Sequence, residues 1–437
     1  MAMLEERSGL RVEVTGLLQA LIRADTVNPP GNETRAAQIL AEYLARDGLS
    51  SDLIARVPER ANLVARLPGG DGPSLALLCH TDTVLADPAE WERDPWSGDL
   101  VDDEVWGRGA LDMKGHVAAA AVAFASLARE GFRPSGDLLL LAVADEEVGD
   151  GFGLEWLVEA HPDAVRCDYA VNEGGGDRLV LGDRVVYLCA TAEKMSAPFL
   201  LRVHGRSGHA SMPGIADNAL LKAARYLEAL AAFQPAPVLI PEAHGLLEVV
   251  VGETPPPEDA LERANALHPT LGALVEPLLA LSLSPTMIEA SHKRNVIPAL
   301  CEITVDCRLL PEQSPQDAEP LIRAALGEGD YDLEWIEAIG GTRSPLGTPL
   351  WDSLAAFVEE LEPGAALAPL ACPGFTDSHF LREAFGAVAY GFFPVKAMDP
   401  VVAALLVHSA NERIPVDDLE AGVHMLRHVA RSLLGSD

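Results

Sequence analysis

Ser74-Leu-Ala-Leu-Leu-Cys-His80-Thr-Asp82-Thr83 opens as an unbroken apolar run and closes on a His-x-Asp. Such a run, preceded by the turn residues Gly70-Asp-Gly-Pro73, predicts a strand buried on both faces, the kind found in parallel sheets. Open α/β sheets bind ligands beyond the carboxyl ends of their strands, which is where His80 and Asp82 stand. A single His-x-Asp is more often a satisfied histidine than a ligand. The reading therefore turns on whether other strands end in the same way.

Two do. Asp137-Leu-Leu-Leu-Leu-Ala-Val-Ala-Asp145 is a second buried strand and runs into Glu146-Glu147, and Asp168-Tyr-Ala-Val-Asn172 is a third that ends in Glu173 before three glycines. Neighbouring side chains at a strand end point in different directions, so one of Glu146 and Glu147 can bind a metal while the other faces substrate or water. Between the first two strands lies Trp106-Gly-Arg-Gly-Ala-Leu-Asp112-Met-Lys-Gly115. Its glycine spacing invites comparison with a dinucleotide fingerprint, but Asp112 occupies the third glycine position and no strand of useful length precedes it. The glycines instead let the backbone fold closely around Asp112. Carboxylates gathered in this number repel one another unless cations neutralise them. A metal site is the expectation, with a purely structural or calcium-stabilising role as the alternative. Residues 145–153 lack the alternating Asp/Asn ligands of a calcium loop.

A chain of 437 residues exceeds one ordinary core, so two domains are expected. The composition, 49% hydrophobic and 22% charged, is that of a globular protein. Sixty-six acidic residues against 32 basic ones give a formal charge of −34, which argues against nucleic acid and anionic membrane as partners. The charge names no substrate; it fits a solubilising surface or an adaptation to salt. The start, Met-Ala-Met-Leu-Glu-Glu-Arg7, lacks the apolar core and cleavage site of a signal peptide, and no run reaches the length of a membrane span. A soluble, cytoplasmic protein is expected. The six cysteines (79, 167, 189, 301, 307 and 372) form no Cys-x-x-Cys pair and read as reduced, mostly buried thiols.

Along the rest of the chain, apolar spacing predicts helices over 8–24 and 33–47, the second stopped at Gly48, with Asn28-Pro-Pro-Gly31 as the turn between them. Short strands follow over 51–55 and 62–66, and an Ala-rich helix over 116–129. From about Ala192 the character changes. A strand over 197–205 leads to Ser-Gly-His209-Ala-Ser-Met-Pro213 and a helix over 218–232, and then a Pro-rich, partly helical insertion spans 234–290. Residues 299–308 alternate, with Cys301, Ile303, Val305 and Cys307 on one face and Glu302, Thr304, Asp306 and Arg308 on the other, as a half-exposed strand does. A helix over 315–326 and a strand over 331–338 close an α+β domain inserted into the first. The domain limits are 1–191, 192–339 and 340–437. In the last part, Phe375-Thr376-Asp377-Ser378 begins a loop and helix, 387–393 is a strand, Leu405-Leu-Val-His408-Ser-Ala-Asn-Glu412-Arg-Ile-Pro415 delivers a histidine, and an amphipathic helix covers 416–434. His408 alone reads as structural; its value depends on the carboxylates it joins.

Taken together, His80-x-Asp82, Gly107-Arg-Gly-x-x-Asp112-Met-Lys-Gly115, Asp145-Glu146-Glu147, Asn172-Glu173-Gly174, Gly208-His209-x-Ser211-x-Pro213, Asn295-Val-Ile-Pro298, Asp306-x-Arg308, Thr376-Asp377 and His408 resemble the co-catalytic dizinc aminoacylase and carboxypeptidase family. That family includes succinyl-diaminopimelate desuccinylase, acetylornithine deacetylase and bacterial glutamate carboxypeptidase, and the match spans nearly the whole chain. Trp91-Glu-x-Asp-Pro-Trp96, Ala192-Glu-Lys194 and the insertion before Asn295 look most like its carboxypeptidase S and N-acyl amino acid hydrolase branch. Ser291-His-Lys-Arg294 stands where the family often has a glycine-rich turn, and Phe375 where glycine is common; both departures bear on the acyl pocket.

The resemblance implies an α/β fold of the zinc-aminopeptidase type, a mostly parallel central sheet flanked by helices, with an inserted α+β ferredoxin-like lid and dimerisation domain. It implies two Zn²⁺ per chain, with Co²⁺ or Mn²⁺ as possible substitutes. Asp112 would bridge them, His80 and Glu173 completing one site and Glu147 and His408 the other. Glu146 would be the general base and Asp82 would orient His80. His209 resembles an oxyanion-stabilising residue acting across a homodimer, while Asn295, Arg308 and Thr376 resemble substrate contacts, an arginine fork being suited to a carboxylate. For Arg308 the alternative is a surface salt bridge. The implied activity is metal-dependent hydrolysis of the amide bond of small N-acyl amino acids with a free carboxylate. Rival readings are a dipeptidase or carboxypeptidase of the same family and, in a different class, a non-catalytic metal-containing binding protein.

Overall fold

The computed structural model describes residues 2–435; Met1, Ser436 and Asp437, at the ends of the expected domains, lie outside the described residues. The strand Leu75–His80 is buried along its whole length and pairs in parallel with two neighbours. On one side Leu75 lies opposite Leu138 and His80 opposite Val143; on the other, Leu75 lies opposite Tyr169. Val388–Gly391 adds a fourth parallel strand beyond Tyr169–Asn172. These four central strands therefore end at one edge, which is where His80, the residues after Val143 and those after Asn172 are brought together.

The flanks of this sheet are antiparallel, so the sheet is mixed. Ser51–Ala55 pairs with Ala61–Leu67, which pairs with Leu138–Val143. The short connection between the first two permits only an antiparallel return, because a parallel one needs a crossover of a dozen residues or more. Both faces of the parallel centre are covered, as the apolar runs require. Leu75, Leu77 and Cys79 pack with Leu138 and Leu140 under residues from the helices Lys114–Arg129 and Val416–Leu434. Ala76 and Leu78 pack with Leu139, Leu141 and Val143 against Leu154, Leu157 and Leu381 on the other face. The period of two along each strand sorts the side chains between these cores. A fully buried leucine contributes roughly 1.5–3 kcal/mol, so the apolar runs themselves carry much of the sheet's stability.

The chain divides into two compact units. One comprises the residues up to Thr191, Ser344–Pro369 and those from Thr376 onward, and holds the large sheet; the other comprises Ala192–Arg343 and Leu370–Phe375. In the second unit Phe199–His204 lies between Leu300–Leu309 and Tyr331–Trp335, all antiparallel. The expected alternation in Leu300–Leu309 is present: Cys301, Ile303, Val305 and Cys307 face a core with Phe199, Ala223, Tyr226 and Ile322, under the helices Ala219–Ala231 and Pro315–Leu326. The segment read as a partly helical insertion over 234–290 supplies the helices Pro241–Val251, Pro257–Leu267 and Pro269–Val275, but it ends in a strand, Ser282–Glu289, paired along Leu300–Leu309. That strand is exposed along almost its whole length and carries Pro285 beside a register shift, so neither alternation nor an apolar run marks it in sequence.

Candidate metal centre

Asp112 is the hinge of the site. Its Oδ1 lies 3.1 Å from His80 Nε2 and its Oδ2 lies 3.1 Å from His408 Nε2, so its two oxygens face two different imidazoles. Glu173 Oε2 is 3.7 Å from the same His80 nitrogen, and Glu147 Oε2 is 3.2 Å from the same His408 nitrogen. Two triads result, His80/Asp112/Glu173 and Asp112/Glu147/His408, and within each the candidate ligand atoms lie within 4.8 Å of one another. All five expected ligands are gathered, with Asp112 common to both triads. The donor set suits a borderline metal, one imidazole nitrogen with carboxylate oxygens in each triad. Glu147 Oε1 is buried without a hydrogen-bond partner among the described residues, an orphan that a cation would satisfy. The residues fit a two-ion centre.

Local backbone explains how the ligands arrive. His80 closes its strand; Asp145, with φ of 72°, turns the chain out of the strand Leu138–Val143 and presents Glu146 and Glu147 beyond it; Glu173 follows the strand Tyr169–Asn172. Asp112 arrives on the loop between Trp106 and the helix Lys114–Arg129. Gly109 in that loop has φ of 86°, and a Cβ there would stand 2.8 Å from Thr83 Cγ2, so the glycine allows the tight path expected of it. His408, also left-handed at φ of 58°, follows the short helix Pro400–Leu406.

Asp82 is fully buried and does more than sit beside His80. Its carboxylate lies 3.5 Å from His80 Nδ1, while its main-chain oxygen lies closer to the same nitrogen, at 3.2 Å. Its two oxygens accept the backbone N–H groups of Glu146 and Glu147 at 3.3 and 3.2 Å. Asp82 thus fixes the turn that carries the expected base and one expected ligand. Behind it runs a buried polar chain: Asn28 Nδ2 donates to Asp82 and Asp145, Arg60 donates to Asp145 at 2.8 Å, and Arg60 pairs through two hydrogen bonds of 2.7 Å with Glu33. The Arg60 guanidinium lies over the Phe152 ring at 4.8 Å.

The charges perturb one another strongly. Against the upward push of burial, His408 and His80 hold the Asp112 carboxyl well below the usual carboxylate range. Asp112 and then Glu147 raise His408 to about 10. Burial, with Glu173 adding to it, pushes the Glu146 carboxyl well above its ordinary value, and burial raises Glu173 to about 7. Site carboxyls pushed apart in this way are what acid–base chemistry uses.

The other expected site residues divide between the two units. Thr376 is buried in the first unit, its main-chain oxygen accepting from His379 Nδ1 at 2.7 Å. In the second unit the two-residue strand Gly208–His209 pairs with Val296–Ile297, and Asn295 accepts from the backbone N–H of Ala210 at 3.0 Å, so His209 and Asn295 are close neighbours. His209 is exposed, with Nδ1 2.8 Å from Ser211 Oγ. Arg308 forms the salt bridge held open as its alternative, a bidentate pair with Asp306 at 3.0 Å for both bonds.

Several buried polar residues around the centre went unread as site residues. Asn28 reads in sequence as part of a turn and Arg60 carries no sequence signal, because the acceptors that hold them come from distant segments. Glu412 was quoted only as a neighbour of His408. Asp377, beside Thr376, is buried with Oδ2 unpartnered among the described residues, and burial pushes its carboxyl well above the ordinary range. A polar residue adjoining a proline-rich turn or a ligand is the one signal available, and it is a weak one.

With this geometry in view, similarity to known proteins is informative. The sequence profile described as Peptidase family M20/M25/M40 matches residues 76–432. Succinyl-diaminopimelate desuccinylase of Methylobacterium sp. (strain 4-46) is 28% identical over 428 residues, covering 94% of each chain. The N-fatty-acyl-amino acid synthase/hydrolase of Xenopus tropicalis is 27% identical, covering 94% of this chain and 84% of its own. Among solved structures, the M20 family metallo-carboxypeptidase Sso-CP2 of Sulfolobus solfataricus superposes with a TM-score of 0.70 at 18% identity, over 96% of this chain and 98% of that one.

Proposed function

The chain belongs to peptidase family M20/M25/M40, and from that premise we propose that it is a dizinc hydrolase of N-acyl amino acids that carry a free carboxylate. Metal-dependent hydrolysis of amide or peptide bonds follows from the family; the acyl amino acid is our reading of the substrate. The observation that carries it is the pair of triads sharing Asp112, with Glu146 next in sequence to a ligand. Two ions bound there would polarise the scissile carbonyl and lower the pKa of water. Cobalt or manganese would substitute for zinc, the donors being common to all three.

In this reading His80, Asp112, Glu147, Glu173 and His408 hold the ions. Glu146 takes a proton from the attacking water and delivers it to the leaving nitrogen. Burial raises its carboxyl, the direction that suits a group which must both accept and give a proton. Asp82 orients His80 and the Glu146–Glu147 turn. His209 stabilises the developing oxyanion, Asn295 and Arg308 contact the substrate, and Thr376 contributes from the first unit. Arg308 gives Nε and Nη2 to Asp306, so a substrate carboxylate would be met through Nη1 or by displacing Asp306.

The relatives named for desuccinylation and for N-fatty-acyl amino acids support an acylated amino acid over an unmodified peptide. A homodimer through the inserted unit is part of the proposal; its support is the edge strand Ser282–Glu289, which exposes Met287 and Ile288. Cytoplasmic residence is proposed from six cysteines that form no disulfide among the described residues, five of them buried. Among the described residues no helix is long and apolar enough to cross a membrane.

The test is steady-state hydrolysis by zinc-loaded protein of N-acetyl, N-succinyl and long-chain N-acyl amino acids against unmodified dipeptides. A higher kcat/KM for an acyl amino acid supports the proposal. A preference for dipeptides replaces it with the dipeptidase reading, and no hydrolysis by protein shown to hold two ions points to a binding protein.

A further inference from the structure

The loop that delivers Asp112 has little regular structure of its own, and one side chain from the far end of the sequence holds it. Glu412 is fully buried. Its Oε1 accepts the backbone N–H groups of Leu111 at 2.7 Å and of Asp112 itself at 3.0 Å. Its Oε2 accepts the N–H of Gly109 at 3.0 Å and Arg108 Nη1 at 2.7 Å. The main-chain oxygen of Glu412 takes the N–H of Gly107 at 2.9 Å. Five donors from Gly107 to Asp112 thus converge on a single residue.

This arrangement is built by the sheet register. Arg413–Pro415 pairs with Glu104–Trp106, Arg413 lying opposite Trp106, so Glu412 falls beside the first residue of the loop. Arg108 is itself anchored, donating to the Leu85 main-chain oxygen at 3.1 Å and lying over the Trp91 ring at 5.4 Å. An unpaired carboxylate buried at this depth would cost several kcal/mol; three backbone N–H donors and one guanidinium offset that cost. The same short segment carries His408, four residues earlier. Glu412 therefore ties together the approaches of two ligands of one triad, Asp112 and His408.

We infer that Glu412 is a positioning residue for the metal centre: by fixing the backbone of Asp112 it aims one carboxylate oxygen at each imidazole and so sets the affinity for both ions. The inference rests on the two-ion reading of the site and is independent of which amide is cleaved. Backbone N–H donors in the loop have no comparable acceptor without it, so the loop relaxes and the shared ligand loses its aim.

The experiment compares wild type with Glu412→Gln by equilibrium dialysis against buffered zinc, counting ions per chain, with folding checked by circular dichroism. The amide keeps the size but turns a donor toward donors. Zinc affinity is expected to fall by about 10–100-fold, the usual effect of losing a group that orients a ligand, and full occupancy should return at high zinc. The cobalt-loaded variant should show an altered visible absorption, which a purely structural role would leave unchanged. If Glu412→Gln does not fold, Glu412→Asp takes its place; its carboxylate is drawn back by one methylene, and weaker zinc binding is again expected. Wild-type zinc affinity and an unchanged cobalt spectrum in a folded variant overturn the inference. Failure of the wild type to take up zinc overturns the metal centre instead, so the two failures are distinct.

Discussion

Asn28 donates through one amide nitrogen to Asp82 Oδ2 at 2.9 Å and to Asp145 Oδ1 at 3.1 Å, holding two buried carboxylates together behind the candidate metal centre. Remove that amide and the two acids face each other, Asp145 keeping Arg60 and the Phe152 N–H as partners. Asn28→Ala is expected to lower stability by about 1–3 kcal/mol, the cost of stranding buried acceptors. Asn28→Asp, which adds a third carboxylate, should be worse. Turnover by Asn28→Ala should fall even when zinc is supplied to full occupancy, because the Glu146–Glu147 turn leans on Asp82. Unchanged kcat in a variant with normal zinc would show that this chain does not reach the chemistry.

Replacing the expected base separates catalysis from binding. Glu146→Gln preserves shape and removes the proton acceptor, so kcat should drop roughly 10²–10⁴-fold with zinc uptake unaltered. Hydrolysis at the wild-type rate by this variant would assign the proton transfers elsewhere.

Metal removal should be felt in stability as well as in activity. The centre gathers His80, Asp112, Glu147, Glu173 and His408, and an ion that binds only the folded state stabilises it by mass action. With zinc a thousandfold above its dissociation constant the gain is about 4 kcal/mol, so dialysis against a chelator should lower the thermal midpoint and zinc should restore it. A midpoint indifferent to zinc would contradict the ligand set.

His116 offers a pH test at a residue outside the candidate ligand set. It is buried, its ring lies 4.9 Å from Phe393, and both ring nitrogens lack a hydrogen-bond partner among the described residues. Burial pushes its pKa down to about 3, with the nearby His80 adding to the shift. Since the folded value lies below the unfolded one, its contribution is intact above about pH 6.5 and is lost as pH falls toward 3, by up to ~1.4 kcal/mol per pH unit. His116→Phe should remove this slope: between about pH 6.5 and about pH 5.5 it should lose ~1 kcal/mol less stability than the wild type in urea unfolding. Equal losses in the two proteins would mean that His116 takes up no proton on unfolding in that range.

The candidate ligands were legible because the physics that places them is local. His80, Glu147 and Glu173 follow runs such as Leu75–His80 and Leu138–Val143, which leave little choice but a doubly covered parallel strand, and strand ends converge. Asp112 was marked by its glycines. What escaped was set by distance in sequence. Nothing about Glu412 announces that the N–H groups of Gly109, Leu111 and Asp112 will need it, and nothing about Asn28 announces Asp82. Ser282–Glu289 escaped for another reason: exposed and interrupted by a proline, it owes its strand conformation to the neighbour it pairs with.

The helix Lys114–Arg129 begins two residues after Asp112 and is buried from Lys114 through Leu127, with alanine at positions 118–121, 123 and 125. Ala119 and Ala121 are fully buried, so a bulkier residue at either would have to shift the helix, and with it the end of the loop, against its neighbours. The spacing of the two triads is thus underwritten by methyl groups that touch neither. Drift along this helix would reach the chemistry as surely as drift in a ligand, and variants there belong among the first to examine when activity fades in a protein that still folds.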